Sequence, residues 1–86
     1  MIVRLVVKLF AGARELAGSD VIELEVSLPT TVLQLKEAIV VHSESLRSLV
    51  EFARIAIDNE FVCDAEIIDT TQSSSEIALI PPVSGG

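Results

Sequence analysis

Very few side chains in this sequence are equipped for chemistry, so their types and spacing narrow where a reaction can occur. One His and one Cys cannot assemble a His/Cys metal cluster or a disulfide framework. Cys63 has no basic run beside it to lower its pKa, and is expected to be a small buried thiol. Asp58 and Glu60 are spaced as paired carboxylates, but they fall in a turn pattern and lack a third ligand, so no metal is expected there. Glu23 and Glu25 alternate with apolar residues, as the wet face of a strand does. What remains is the last stretch, Ile80-Pro81-Pro82-Val83-Ser84-Gly85-Gly86. Two stiff prolines are followed by small residues and by two glycines with no Cβ. Such a tail fits a channel too narrow for side chains, and at about 3.3 Å per extended residue it reaches roughly 20 Å beyond Ile80. Its reacting atom would be the carbonyl carbon of Gly86. The residues alone leave open whether Gly85-Gly86 is such a reactive tail or a frayed end.

The rest of the chain must hold that tail. It has 86 residues, 50% hydrophobic, with 13 acidic against 6 basic side chains and a net charge of -7. Mean hydropathy of +0.59 is too high for disorder. That amount of apolar sequence makes one small domain, read as a globular body over residues 1–80 and an extended tail over 81–86. The acidic balance disfavours a nucleic-acid backbone as partner and favours a basic protein surface. Arg4 and Lys8 interrupt the first apolar run, so neither a signal peptide nor a membrane span is expected, and the expected location is cytoplasmic.

Periodicity gives the elements. Val3, Leu5, Val7 and Leu9 alternate as a first strand, and Ile22, Leu24, Val26 and Leu28 as a second that pairs with it antiparallel. A helical turn is expected between them through Arg14, Glu15 and Leu16. After Pro29, Thr31 and Gln34 have the spacing of a capping box. The helix it starts should cover the sheet with Val32, Leu35, Ala38, Ile39 and His42, leaving Gln34, Lys36 and Glu37 wet. Leu46, Leu49 and Val50 suggest a short second helical turn. A hairpin follows, Ala53 to Ile57, then Asp58-Asn59-Glu60, then Phe61-Val62. Cys63 to Ser75 reads as connection, with Ile67 and Ile68 as an anchor and Ser73-Ser74-Ser75 as a turn. Ile77 to Ile80 forms the last strand, stopped by Pro81 and Pro82. If that strand lies parallel to the first, the tail projects from the centre of the sheet.

The tail residues Ile80 to Gly86 resemble the terminal signature of the small, sulfur-carrying subunits of molybdopterin synthases. The resemblance extends to Leu9-Phe10-Ala11, Arg14-Glu15-Leu16-Ala17-Gly18, Thr31-Val32 with Leu35, and Asp58-Asn59-Glu60-Phe61-Val62, and so spans almost the whole chain. It implies an α+β, ubiquitin-like beta-grasp fold, a mixed sheet packed on one main helix. Two departures stand out. The chain has Ser73-Ser74-Ser75-Glu76 where the family usually has an Asp-Gly-Asp-like turn, and Phe61 where the family often has Tyr.

The resemblance also implies a reaction cycle. An adenylating activating enzyme uses ATP and magnesium to convert the Gly86 carboxylate into an acyl-adenylate, and a sulfur-donor protein turns that into a thiocarboxylate. The large subunit of molybdopterin synthase, as a heterotetramer with this one, directs the sulfur to cyclic pyranopterin monophosphate. On that reading the chain has no turnover of its own and binds no permanent cofactor. Gly86 carries the chemistry, Gly85 gives passage, and Pro81, Pro82, Val83 and Ser84 position the tail. Phe10, Arg14, Phe61 and Ile80 are candidate partner contacts, each with an ordinary core or surface role as the alternative. Other readings are a ubiquitin-like protein modifier, a sulfur carrier for thiamine or tRNA thiolation, and a non-catalytic beta-grasp adaptor.

Overall fold

The computed structural model describes residues 1–69 and 76–81. The expected Ser73–Ser75 turn and the tail residues Pro82 to Gly86 lie outside the described residues.

Alternation sets the sheet. β1 (Ile2–Leu9) buries Leu5, Val7 and Leu9 and leaves Arg4, Val6 and Lys8 exposed, while β2 (Val21–Ser27) buries Ile22, Leu24 and Val26. They pair antiparallel from Ile2 opposite Ser27 to Lys8 opposite Val21. Between them α1 (Ala11–Ala17) ends at Gly18, whose φ of 72° is the left-handed conformation that suits a residue without Cβ. β7 (Ile77–Ile80) lies parallel to β1 and antiparallel to β4 (Arg54–Ile57), which pairs with β5 (Glu60–Val62). The order β2-β1-β7-β4-β5 places the last strand at the centre. Asp58 and Asn59 turn the β4–β5 hairpin with φ of 51° and 70°, values that Asn and Asp tolerate better than most residues.

One face of this sheet is covered by α2 (Val32–His42), whose Val32, Leu35 and Ile39 are fully buried. The capping box is present: Thr31 Oγ1 accepts from the Gln34 N–H, and the Gln34 side chain accepts from the Thr31 N–H. The two remaining free donors of the first turn go elsewhere. Val32 N–H donates to the Glu66 carbonyl and Leu33 N–H to the Asp64 carbonyl, both at 3.0 Å. A 3-10 turn (Glu44–Leu46) and α3 (Arg47–Val50) then close the core with Leu46 and Val50. No helix among the described residues is long and apolar enough to cross a membrane. The whole is the ubiquitin-like beta-grasp architecture, an α+β fold with a mixed sheet on one main helix.

Four expectations need correction. His42 does not cover the sheet: as the last residue of α2 it is exposed, beyond the reach of the core that Ile39 closes. Lys36 is not wet: it is 9% exposed, and its Nζ lies 2.9 Å from Asp64 Oδ1. The loop that caps α2 supplies the carboxylate, so the tertiary contact overrides the helical pattern. Cys63 is exposed, not buried: it lies just past the end of β5, where the chain leaves the sheet's outer strand. The connection from Cys63 onward contains β6 (Ile67–Ile68), which pairs antiparallel with β3 (Thr30–Thr31) in a small second sheet.

Candidate functional site: the root of the tail and the open sheet face

β7 leads into the tail, and its position is fixed from both sides. Ala78 lies opposite Lys8 of β1 and Ala56 of β4, while Leu79 is fully buried beneath. The start of the strand is tied as well. Glu76 N–H donates to Asp58 Oδ1 at 2.8 Å, Asp58 N–H donates to the Glu76 carbonyl at 2.8 Å, and Lys8 pairs with the Glu76 carboxylate. A central strand held on both edges is a rigid base from which a chain can be presented. Pro81, half-buried, ends its pairing.

The face of the sheet opposite α2 carries no helix among the described residues. Across it run Lys8, Ala78, Ala56 and Phe61 in successive strand pairings. Ile80 lies opposite Arg54. Strand alternation puts Phe10 and Ile80 two residues beyond the Lys8–Ala78 pair on that same face. The Arg54 guanidinium sits 4.5 Å from the centroid of the Phe61 ring, a cation–π contact. Phe61 is 56% exposed and Phe10 45%, so neither is a core residue, and Ile80 is half-buried. Among the predicted contacts the structure therefore brings Phe10, Phe61 and Ile80 onto one face near the root of the tail. Arg14 stands apart on α1, exposed, with its Nε 3.8 Å from Asp20 Oδ1. Arg54 was missed by sequence reasoning. The available signal was its place in the alternation, on the same face as Ala56.

No group of three His, Cys, Asp or Glu able to hold a metal ion occurs among the described residues. Arg54, opposite Ile80, lies at the root and stacks on Phe61, while Lys8 pairs with Glu76 and Asp58 holds the Glu76 N–H at the far end of the strand. This arrangement can present a partly apolar face to another protein.

Comparison with known proteins bears on what such an arrangement serves. The ThiS family model matches residues 7–86. The chain is 33% identical over 84 residues to the molybdopterin synthase sulfur carrier subunit of Arabidopsis thaliana, covering 98% of this chain and 84% of that one. Among solved structures it is similar to SAMP1 from Haloferax volcanii, with a TM-score of 0.76, 30% identity, and 96% and 99% of the two chains covered. It is also similar to a putative molybdopterin converting factor subunit 1 from Pyrococcus furiosus, with a TM-score of 0.76, 27% identity, and 94% and 99% covered. The chain belongs to the ThiS family, as a small beta-grasp protein of the sulfur-carrier type.

Proposed function

We propose that this chain is the sulfur-carrying small subunit of a molybdopterin synthase, with Gly86 as the reacting residue. The observation that carries the proposal is the Pro-Pro-Val-Ser-Gly-Gly sequence that directly follows the central strand β7, within a family match that runs through residue 86. Residues 81–86 act as the tail and residues 1–80 as the body that partners grip. A carboxylate is a poor electrophile because resonance spreads its charge. An activating enzyme holding ATP and magnesium joins AMP to the Gly86 carboxylate and releases pyrophosphate, and sulfide-level sulfur from the donor then attacks the carbonyl carbon and expels AMP, leaving a thiocarboxylate. The large subunit encloses that group against premature hydrolysis; its sulfur bonds to a carbon of cyclic pyranopterin monophosphate, and water then cleaves the acyl–sulfur bond, leaving the sulfur on the pterin and Gly86 as a carboxylate again, so that two charged tails supply one dithiolene. Gly85 lets the tail pass where a Cβ would be stopped, while Pro81, Pro82, Val83 and Ser84 narrow the directions it takes. The open face with Phe10, Phe61 and Ile80 is the grip.

The test is reconstitution with a large synthase subunit and the pterin precursor. Molybdopterin should form with the charged tail and not with the uncharged one. Equal formation from both would overturn the proposal.

A second reading rests on the likeness to SAMP1, whose name denotes a small archaeal modifier protein. An activated Gly86 would then be joined to a lysine amine by an isopeptide bond. Gly-Gly remnants of this tail on digested cellular proteins would support that use, and their absence would remove it.

A further inference from the structure

The free edge of β2 has unused hydrogen-bonding capacity, and its chemistry selects a partner. β2 is an outer strand of the five-stranded sheet. Met1 and Leu28 exchange both main-chain bonds, Leu28 N–H to the Met1 carbonyl at 2.8 Å and the Met1 amine to the Leu28 carbonyl at 3.2 Å. At the other end Leu9 N–H donates to the Asp20 carbonyl at 2.8 Å. In an antiparallel ladder, bonded and non-bonded pairs alternate. Between these fixed ends, Val26, Leu24 and Ile22 therefore bond to β1, while the N–H and C=O groups of Val21, Glu23, Glu25 and Ser27 point outward. Val21 is satisfied locally by the Ser19 hydroxyl, which donates to its carbonyl at 2.7 Å and accepts from its N–H at 3.3 Å. Glu23 and Glu25 have no main-chain partner on that edge among the described residues.

A groove runs beside the edge. Leu24, Ala38, Val41 and His42 line it on the helix side, and Arg4, Glu23 and Glu25 on the sheet side. It continues past Ser27, Gln34 and Glu37. Val41 is 85% exposed, an apolar side chain on the wall of a groove with nothing over it among the described residues.

We infer that this edge is a docking site for an extended segment of a basic protein partner, added as a further strand beside β2. Residues of the added strand opposite Glu23 and Glu25 lie on their side of the sheet, two positions apart, and are Lys or Arg. The residue between them points the other way, over Ala38 and Val41, and is apolar. The recognised pattern is thus basic-apolar-basic, with main-chain bonds supplying affinity and side chains supplying choice. A second copy of this chain is disfavoured as occupant. An antiparallel β2–β2 pairing centred on Leu24 would set Glu23 of each copy against Glu25 of the other, like charges directly opposed. Arg4, 3.7 Å from both Glu23 and Glu25 carboxylates, only partly offsets their charge. The site is separate from the tail and its test needs no tail chemistry.

The probe is a short synthetic peptide alternating lysine and valine, titrated into the full chain while amide exchange and amide chemical shifts are followed. The expected result is saturable protection of the Glu23 and Glu25 amides, weakened by salt. A peptide alternating glutamate and valine should bind roughly tenfold more weakly or worse, and the double variant Glu23→Lys/Glu25→Lys should reverse the preference. The wild-type exchange measurement stands by itself should the variant not fold. Protection centred on Phe10 and Phe61 instead, no saturation, or peptide-independent protection of Glu23 and Glu25 that grows with protein concentration would each overturn the inference.

Discussion

Removing the Asp64 carboxylate should cost more than removing the Lys36 ammonium that it binds. The Lys36 side chain is 11% exposed and the Asp64 side chain 53%. In Asp64→Ala the ammonium is left in its covered position without a partner. Loss of one member of a fully buried pair costs about 3–5 kcal/mol, but here the ammonium can rotate outward into the space that Asp64 vacates. Discounted for that exposure, the expected loss is about 1–2 kcal/mol, or roughly 10 °C in Tm for a domain of this size. In Lys36→Met the apolar stem is kept at a buried position and the remaining carboxylate is already half hydrated, so the change should stay within about 0.5 kcal/mol. Lys36→Met/Asp64→Ala should match Lys36→Met alone. The chain has no Trp and no Tyr, so urea unfolding is best followed by far-UV circular dichroism, where the midpoint should move with an unchanged slope. Equal losses in Asp64→Ala and in the double variant would refute the reasoning, because the cost would then not come from a stranded charge.

Other substitutions test other parts of the fold. Leu79→Ala, at a fully buried position in the strand that carries the tail, should lose about 3 kcal/mol by thermal or urea unfolding. Gly12, inside α1, and Gly18, at its C-terminal end, should respond oppositely. Gly18→Ala should lose about 1 kcal/mol because its φ is 72° although nothing lies within 4 Å of an added Cβ, whereas Gly12→Ala should gain about 0.5 kcal/mol, its Cβ meeting Leu49 Cδ1 at an ordinary 3.5 Å. The Arg47 guanidinium donates to both Glu44 carboxylate oxygens at 2.6 and 2.9 Å, and holds the Glu44 carboxyl below its ordinary value of 4.5. A lowered folded-state pKa means that this small contribution is present above 4.5 and lost as pH falls through the depressed value. The stability difference between wild type and Glu44→Gln should therefore shrink on acidification and on adding salt.

Much of the body was legible because its signals are local. Alternation in residues 3–9 and 22–28 set two strands and their faces, Thr31 and Gln34 marked a helix start, and Asp58-Asn59 marked a turn whose positive φ values those residues tolerate. What was not legible depends on distant residues. Lys36 sits on the wet side of its helix until the Asp64 loop folds over it, and a two-residue pairing such as Thr30–Thr31 with Ile67–Ile68 is too short to show a period. Cys63 was misplaced because free cysteines are usually buried, while this one falls in the connection just after the outer strand β5. At the site, Phe10, Phe61 and Ile80 were named from the sequence, but their sharing one face with Arg54 follows only from the strand order.

The central claim is that Gly86 accepts sulfur. Intact-mass measurement of the chain after incubation with an activating enzyme, ATP, magnesium and a sulfur donor tests it most directly. One oxygen should be replaced by one sulfur, mapped to Gly86 by fragmentation and absent when ATP is withheld. An unchanged mass, or sulfur found on Cys63 instead, would contradict it.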